Sequence, residues 1–160
     1  IKVGLFVNSD ANLIKHISEY VNLDMIQLHG DETFSEVKFI KNEVKKPIIK
    51  AIPIADNKDI ELSRKYEDIC DMILFDKKSS KSGLRGGTGQ SFDWSLLKNF
   101  DSKKKWMLAG GINIGNVKNA ILQTNPPILD ISSGVEKKKG VKCKKKITNF
   151  LNYLKKNEFN

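Results

Sequence analysis

Short apolar segments of strand length alternate with longer segments of helical periodicity along the whole chain, and this alternation narrows the possible folds more than any other feature. Six apolar runs end at the following residues: Asn8, His29, Ile54, Asp76, Gly110 and Ser132. Between the runs, apolar residues recur at helical spacing, first at Leu13, Ile17 and Tyr20, then at Phe34, Val37 and Ile40, and last at Ile147, Phe150, Leu151 and Leu154. Near-continuous apolar strands that alternate with helices are typical of a parallel sheet covered by helices.

Six strand–helix units in series fit two α/β architectures, an open doubly wound sheet and a TIM (β/α)8 barrel. A barrel needs eight units, which at about 25 residues each is roughly 200 residues, and this chain has 160. The chain starts without methionine, at Ile1, inside an apolar run. If the fold is a barrel, we therefore expect residues 1–160 to be a single partial domain that supplies six of the eight units, with two units upstream.

The composition bounds the class of protein. Hydrophobic residues make up 39% of the chain and charged residues 29%, as in globular proteins, and no apolar run approaches the ~20 residues of a membrane span. The net charge is +9, but the dense lysine run at residues 136–146 lacks the aromatic residues that stack on bases. We expect neither nucleic acid nor membrane as a partner, with a basic, non-catalytic nucleic-acid binder as the alternative. Cys70 and Cys143 have no paired spacing, which favours the cytoplasm.

A glycine-rich stretch at residues 83–94 reads GLRGGTGQSFDW and follows the fourth apolar run. It lacks the lysine of a P-loop, and it lies too far from the strand end for a dinucleotide fingerprint. We interpret it as a long loop that covers a site, with Gly87 and Gly89 close to the substrate. Phe92 and Trp94 would anchor its far end; a plain surface loop is the alternative.

Two further glycine loops follow the last two strands, at residues 108–113 (LAGGIN) and 131–136 (ISSGVE). In barrels the loops after the seventh and eighth strands form a phosphate site, because glycines let backbone N–H groups approach an anion. The second loop is also predicted to begin a helix. Plain tight turns are the alternative to a phosphate site, whose residues would be Gly110, Gly111, Ser132, Ser133 and Gly134.

Polar side chains also stand at the carboxyl ends of two strands. Asp76 ends the fourth run, where an acid of a barrel would lie at the catalytic face and act as a general acid; an ion pair with Lys77 is one alternative. Gln27 and His29 lie on one side of the second strand and could contact substrate, although a lone histidine is more often a packing or capping residue. Asp31 and Glu32 are predicted to begin the following helix.

No His, Cys, Asp or Glu residues have the spacing of metal ligands, so no metal site is expected. Neither cysteine resembles an activated nucleophile. Cys70 falls at a helix-to-strand junction, on the face opposite the strand ends, and Cys143 falls near the start of the last helix.

Taken in order, the segments VGLFVN, IQLHGDE, LFD followed by GGTGQSFDW, LAGGIN and LDISSGVE resemble phosphoribosylanthranilate isomerases. The resemblance implies a (β/α)8 barrel without a cofactor that acts in tryptophan biosynthesis. It implies an Amadori rearrangement of a phosphorylated small molecule, from N-(5-phosphoribosyl)anthranilate to 1-(2-carboxyphenylamino)-1-deoxyribulose 5-phosphate. The alternative is another phosphate-binding barrel of histidine or tryptophan biosynthesis, which the LHGDE and GGTG-x-x-FDW motifs disfavour.

The resemblance also assigns roles to residues. It makes Asp76 the general acid, gives the paired glycine loops to the phosphate, and brings Asp130 near the sugar. The family's general base, a cysteine in a K-[IV]-C-G motif on the first strand, has no counterpart here, so the 160 residues alone are predicted to be inactive. The closing motif, usually G-x-K-D, reads Gly140-Val141-Lys142-Cys143 and is expected to lie far from the chemistry.

Overall fold

The structure of the chain, a computed structural model, describes residues 1–78 and 91–157. A six-stranded sheet forms its centre, in which each strand pairs in parallel with the next one along the chain. Its strands are β1 (Val3–Phe6), β2 (Met25–Leu28), β3 (Ile48–Ile54), β4 (Met72–Lys77), β5 (Lys105–Leu108) and β6 (Ile128–Leu129). This unbroken sequential order is that of a barrel wall, whereas a doubly wound sheet reverses its order at a switch point.

Five α-helices follow strands of the sheet, whereas the described residues between β4 and β5 contain only a 3₁₀ turn, Trp94–Leu97. The α-helices are α1 (Ala11–Tyr20), α2 (Phe34–Val44), α3 (Asn57–Glu67), α4 (Val117–Thr124) and α5 (Lys144–Lys156). An antiparallel hairpin, β7 (Glu136–Lys138) and β8 (Val141–Lys142), precedes α5 and is called the C-terminal hairpin below. In the part of the chain that the structure describes, no helix is long and apolar enough to cross a membrane.

Polar residues after the strands fix where the helices begin. The Asp10 carboxylate accepts hydrogen bonds from two backbone N–H groups of the first turn of α1. Thr33 and Glu36 form a reciprocal capping box at the start of α2. The prediction that Asp31 and Glu32 begin this helix was wrong, because Thr33 caps its N-terminus and the helix begins only after that residue. The Glu32 side chain is buried in the protein interior.

The spacing rule located α1 but only part of its buried face. Ile17 packs against the main core as predicted, whereas Leu13 and Tyr20 are exposed, and the fully buried residues are Ala11, Ile14 and Ser18. A small and a polar residue thus complete a stripe that hydrophobicity alone does not reveal. The last helix behaves similarly, because only Phe150 of its four apolar residues is fully buried.

The two faces of the sheet have different surroundings. The outer face packs on the helices and forms the main hydrophobic core. The inner face carries a smaller apolar layer, made of Ile49, Ala51, Leu74 and Ala109 with Met25, Met72 and Met107 beside them. At β1 the inner-face side chains Val3, Leu5 and Val7 remain 42%, 57% and 44% exposed. The inner layer is therefore covered in the middle of the sheet and open along β1.

Candidate active site at the carboxyl edge of the sheet

A chain of polar side chains crosses the carboxyl ends of β2 and β4. His29 Nε2 lies 3.2 Å from Asp76 Oδ2, and both side chains are largely buried, at 16% and 13% exposure. On its other side, His29 Nδ1 lies 2.9 Å from Gln27 Nε2. The Gln27 amide nitrogen can only donate, so Nδ1 accepts and a neutral ring carries its proton on Nε2, toward Asp76. The structure thus brings Asp76 into contact with the Gln27 and His29 pair that the sequence predicted on another strand.

Gly110 lies directly against Asp76. The second carboxylate oxygen, Asp76 Oδ1, accepts a hydrogen bond from the Lys77 backbone N–H at 2.7 Å. A Cβ atom at Gly110 would lie 2.9 Å from that nitrogen and 3.1 Å from Oδ1, and the residue adopts a φ of +82°. Both the close approach and the backbone conformation require glycine here, so the first glycine loop and the acid occupy the same small volume.

Asp130 joins this group from β6. Its backbone N–H donates to the Leu108 carbonyl at 2.9 Å, which fixes it at the end of the sheet. The residue reaches solvent, yet protein atoms crowd its carboxyl group. This burial raises the pKa of Asp130, and the nearby Asp76 charge raises it further, while His29 and Lys142 act in the opposite direction. Two carboxyl groups therefore share one site, in which ionisation of the second is disfavoured.

Replacing Asp130 with asparagine should stabilise the protein at neutral pH. The raised pKa means that the folded state binds more protons than the unfolded state between the two pKa values. The free energy of unfolding therefore falls as the pH rises through that window. Above the pKa of the folded state, the whole of this loss of stability remains. Thermal unfolding should give a higher Tm for Asp130→Asn than for the parent protein at pH 7. Near pH 3, which lies below the ordinary aspartate pKa of 3.8, the two Tm values should be equal.

An exposed carboxylate provides the control for this comparison. Asp101→Asn removes the same charge at an exposed position and should show no such pH-dependent gain. An Asp130→Asn variant that is less stable than the parent protein at pH 7 would contradict the burial argument.

The paired glycine loops, residues 110–112 and 132–134, touch each other. A Cβ atom at Gly134 would collide with the Ile112 carbonyl oxygen, so the second loop rests on the first. Gly111 also adopts a positive φ, of 71°. Among the residues that the structure describes, none accepts a hydrogen bond from the backbone N–H groups of Gly111, Ser133 and Gly134. These N–H groups are available to an anion.

Two asparagines that the sequence reasoning did not single out hold the first loop in shape. The side-chain amides of Asn113 and Asn116 donate to the Gly111 carbonyl at 3.0 and 2.9 Å. Asn116 Oδ1 in turn accepts the Asn113 backbone N–H at 2.8 Å. Asn113 ends the LAGGIN segment and Asn116 follows it, and their side chains hold the Gly111 carbonyl in a fixed orientation.

The second loop differs from its prediction. A 3₁₀ turn covers only Ser133–Val135, and the chain then enters the C-terminal hairpin instead of continuing as a helix. The hairpin folds back on the loop, where Lys142 Nζ donates to Ser132 Oγ at 2.9 Å. The hairpin therefore returns the Gly140–Cys143 motif, expected to lie far from the chemistry, to the second glycine loop, ten residues away in sequence.

A buried ion pair, which the sequence reasoning also missed, supports the β2 strand end. Lys50 Nζ and Glu32 Oε2 lie 2.9 Å apart, and each side chain is 3% exposed. Glu32 also accepts the backbone N–H groups of Asn8 and Gly30, and Lys50 donates to the Gly30 carbonyl. The pair therefore ties the loop next to His29 to the neighbouring strands. A lysine in the middle of the apolar run PIIKAIPI was the available signal.

The stretch predicted to cover the site is described only at its far end. Gly87 and Gly89 belong to residues 79–90, which lie outside the described residues. Trp94 is buried and Phe92 packs against the main core, which confirms the predicted anchor at that end.

Cys70 does not lie at the carboxyl edge. Cys70 is buried just before β4, and burial raises its pKa to about 12, so the thiol stays protonated. Cys143 precedes α5. Within residues 1–78 and 91–157, no group of three His, Cys, Asp or Glu side chains is arranged to hold a metal ion.

Known proteins resemble this chain in both sequence and structure. Residues 1–153 match the family described as N-(5'-phosphoribosyl)anthranilate (PRA) isomerase. A protein of that name from Paracoccus denitrificans is 43% identical over 151 residues, which cover 94% of this chain and 70% of the relative. The crystal structure of phosphoribosyl anthranilate isomerase from Thermotoga maritima superposes with a TM-score of 0.82 at 35% identity, covering 97% of this chain and 73% of that one.

A second solved phosphoribosyl anthranilate isomerase contains a ligand, reduced 1-(o-carboxyphenylamino)-1-deoxyribulose 5-phosphate. Its TM-score is 0.80 at 32% identity, and the match covers 97% of this chain and 71% of that chain.

Proposed function

The chain belongs to the N-(5'-phosphoribosyl)anthranilate isomerase family, and from this premise we propose which of its residues carry the reaction. Its function is that of a PRA isomerase in tryptophan biosynthesis, an intramolecular isomerisation of a phosphorylated small molecule. The observation that carries the proposal is the meeting of Asp76, His29, Asp130 and the paired glycine loops at one edge of the sheet. The family match decides against the other phosphate-binding barrels and the nucleic-acid binder.

Asp76 is the general acid in this proposal. It donates a proton to the ring oxygen of the ribose, and the C1–O bond then breaks to give an open-chain Schiff base. The carboxylate left behind keeps two donors, the Lys77 backbone N–H on Oδ1 and the His29 ring on Oδ2. Gln27 fixes the ring of His29 so that its Nε2 side faces the acid.

The phosphate of the substrate binds to the paired glycine loops. Backbone N–H groups of Gly111, Ser133 and Gly134 are unpaired within the described residues and belong to two loops in direct contact. Such N–H groups bind phosphate oxygens without a Cβ atom in the way. Asp130 lies near Asp76 and just precedes the second glycine loop, so we assign it to the sugar hydroxyls. The substrate would extend from the loops toward β2 and β4.

We further propose that the 160 residues supply six strands of an eight-stranded barrel. The strands follow one another in barrel order, and the inner-face side chains of β1 are exposed next to an outer edge that pairs with no described strand. The relatives are longer, since the matches cover 70% to 73% of them. After ring opening, a base has to remove the C2 proton, and the sequence contains no K-[IV]-C-G motif to supply it.

A hybrid barrel tests this assignment. The 160-residue polypeptide should show no measurable turnover of N-(5'-phosphoribosyl)anthranilate, and fusion to the first two βα units of the Paracoccus relative should restore it. Replacing the motif cysteine of the added units with serine is the matched control and should abolish turnover again. Turnover by the 160 residues alone would contradict the missing base, and a folded hybrid without turnover would contradict the assigned site.

A further inference from the structure

The paired glycine loops contain no positively charged side chain, although their proposed ligand is a dianion. Residues 108–113 read LAGGIN and residues 131–135 read ISSGV, without lysine or arginine. Neutral N–H donors bind phosphate, and a nearby cation adds a charge-assisted hydrogen bond about twice as strong as a neutral one. A cation that adds such a bond must therefore reach these loops from elsewhere in the chain.

Lys142 reaches them from the C-terminal hairpin. Its Nζ donates to Ser132 Oγ at 2.9 Å and to Glu136 Oε1 at 2.9 Å. An ammonium group has three N–H donors, and within the described residues no acceptor takes the third. The side chain is 46% exposed, so it has room to adjust to a ligand.

The fold of the hairpin holds this lysine in position. Gly140 turns the chain with a φ of +78°, and its N–H donates to Glu136 Oε2 at 3.1 Å. The Cys143 backbone N–H donates at 2.8 Å to the carbonyl of Val135, the last residue of the 3₁₀ turn of the loop. Glu136 thus binds both the turn and Lys142, and the hairpin and loop form one unit.

The charge of Lys142 also affects the carboxyl groups near the site. It lowers the pKa of Asp130, against the effects of burial and of Asp76. It lowers the pKa of Glu136 as well, through the hydrogen bond between the two side chains. The lysine therefore acts on the same volume that the substrate would occupy.

We propose that Lys142 is the cationic partner of the substrate phosphate, bound beside Ser132 on the second glycine loop. The Ser132 hydroxyl accepts from the ammonium and donates its own hydrogen to a phosphate oxygen, while the free N–H of Lys142 binds a second oxygen. The ligand class is a sugar phosphate monoester in its dianionic form. This inference rests on the proposed phosphate site and adds to it the residue that supplies the charge.

Ribose 5-phosphate binding to the 160-residue chain tests the proposal. Calorimetric titration at low ionic strength should give a Kd about tenfold or more higher for Lys142→Met than for the parent chain. Lys139→Met is the matched control, because it removes the same charge from the exposed turn of the same hairpin, and it should change Kd by less than about twofold. Inorganic phosphate should show the same ratio, since the phosphate group carries the effect.

The pH dependence separates a charge partner from a structural residue. Phosphate monoesters change from monoanion to dianion near pH 6, so the parent chain should bind more tightly at pH 7.5 than at pH 5. Lys142→Met should flatten this dependence, and Lys142→Arg should restore it. Equal binding by Lys142→Met and the parent chain would overturn the role of Lys142 and leave the phosphate site standing. No binding by the parent chain would overturn both.

Discussion

Replacing Asp76 with asparagine should lower the kcat of the isomerase by about 10²- to 10⁴-fold, the usual contribution of a general acid. Asparagine keeps the shape of the side chain and can still accept the Lys77 N–H and contact His29. It has no proton to give to the ribose ring oxygen, so ring opening loses its catalyst while the site keeps its form. The loss should therefore appear in kcat and leave substrate binding nearly unchanged.

The hybrid barrel is the protein in which to measure this, with steady-state kinetics on N-(5'-phosphoribosyl)anthranilate. Asp101→Asn is the control, because it removes an exposed carboxylate away from the carboxyl edge, and its kcat should equal that of the parent. Calorimetric binding of reduced 1-(o-carboxyphenylamino)-1-deoxyribulose 5-phosphate verifies that Asp76→Asn keeps an intact site. A variant that retains more than about a tenth of the parent kcat would show that another group is the acid.

Replacing Lys50 with methionine should lower the free energy of unfolding by about 3–5 kcal/mol, because it leaves the Glu32 carboxylate buried without its counter-charge. Methionine is of similar length and fills the space of the lysine chain, so a cavity adds little. The variant also removes the donor to the Gly30 carbonyl. The loop next to His29 therefore loses two interactions with the sheet, the ion pair and this hydrogen bond.

Urea unfolding of the 160-residue chain measures this loss. Lys15→Met is the matched control: Lys15 Nζ lies 4.0 Å from Glu43 Oε2 in an exposed pair, whose removal should cost about 0–1 kcal/mol. The double variant Lys50→Met with Glu32→Gln removes both charges and should recover part of the stability. A loss below about 1 kcal/mol for Lys50→Met would mean that Glu32 is not buried as an ion.

The strand–helix order and the acid at the end of β4 could be predicted because both follow from local rules. Apolar runs of strand length mark the strands, and the carboxyl ends of parallel strands meet at one edge. Asp76, Gln27 and His29 could therefore be assigned to one edge without any structure. The contact between His29 and Asp76 could not, because β2 and β4 are separated by β3 and the curvature of the sheet decides whether their side chains meet.

The rest depends on contacts between distant segments. Lys50 lies inside an apolar strand, and a hydrophobic pattern does not predict that a lysine there is buried. Its partner Glu32 has the position and charge of a residue that begins a helix. Lys142 belongs to a lysine run that charge patterning assigns to solvent, and only the turn at Gly140 returns it to Ser132. The first contact joins two strand–helix units and the second closes a hairpin within one unit, and the periodicity of a helix or strand carries no information about either.

Gly110 has a consequence for anyone who redesigns this enzyme. The residue begins the first glycine loop, which we propose binds the phosphate, and also lies in contact with the Asp76 carboxylate. Phosphate binding and proton donation therefore depend on the same peptide unit. A loop that is altered to accommodate a different phosphorylated sugar will also displace the acid. Libraries that aim at new substrates should keep position 110 as glycine and vary the second loop, whose Ser132 and Ser133 stand farther from Asp76 in the sheet order.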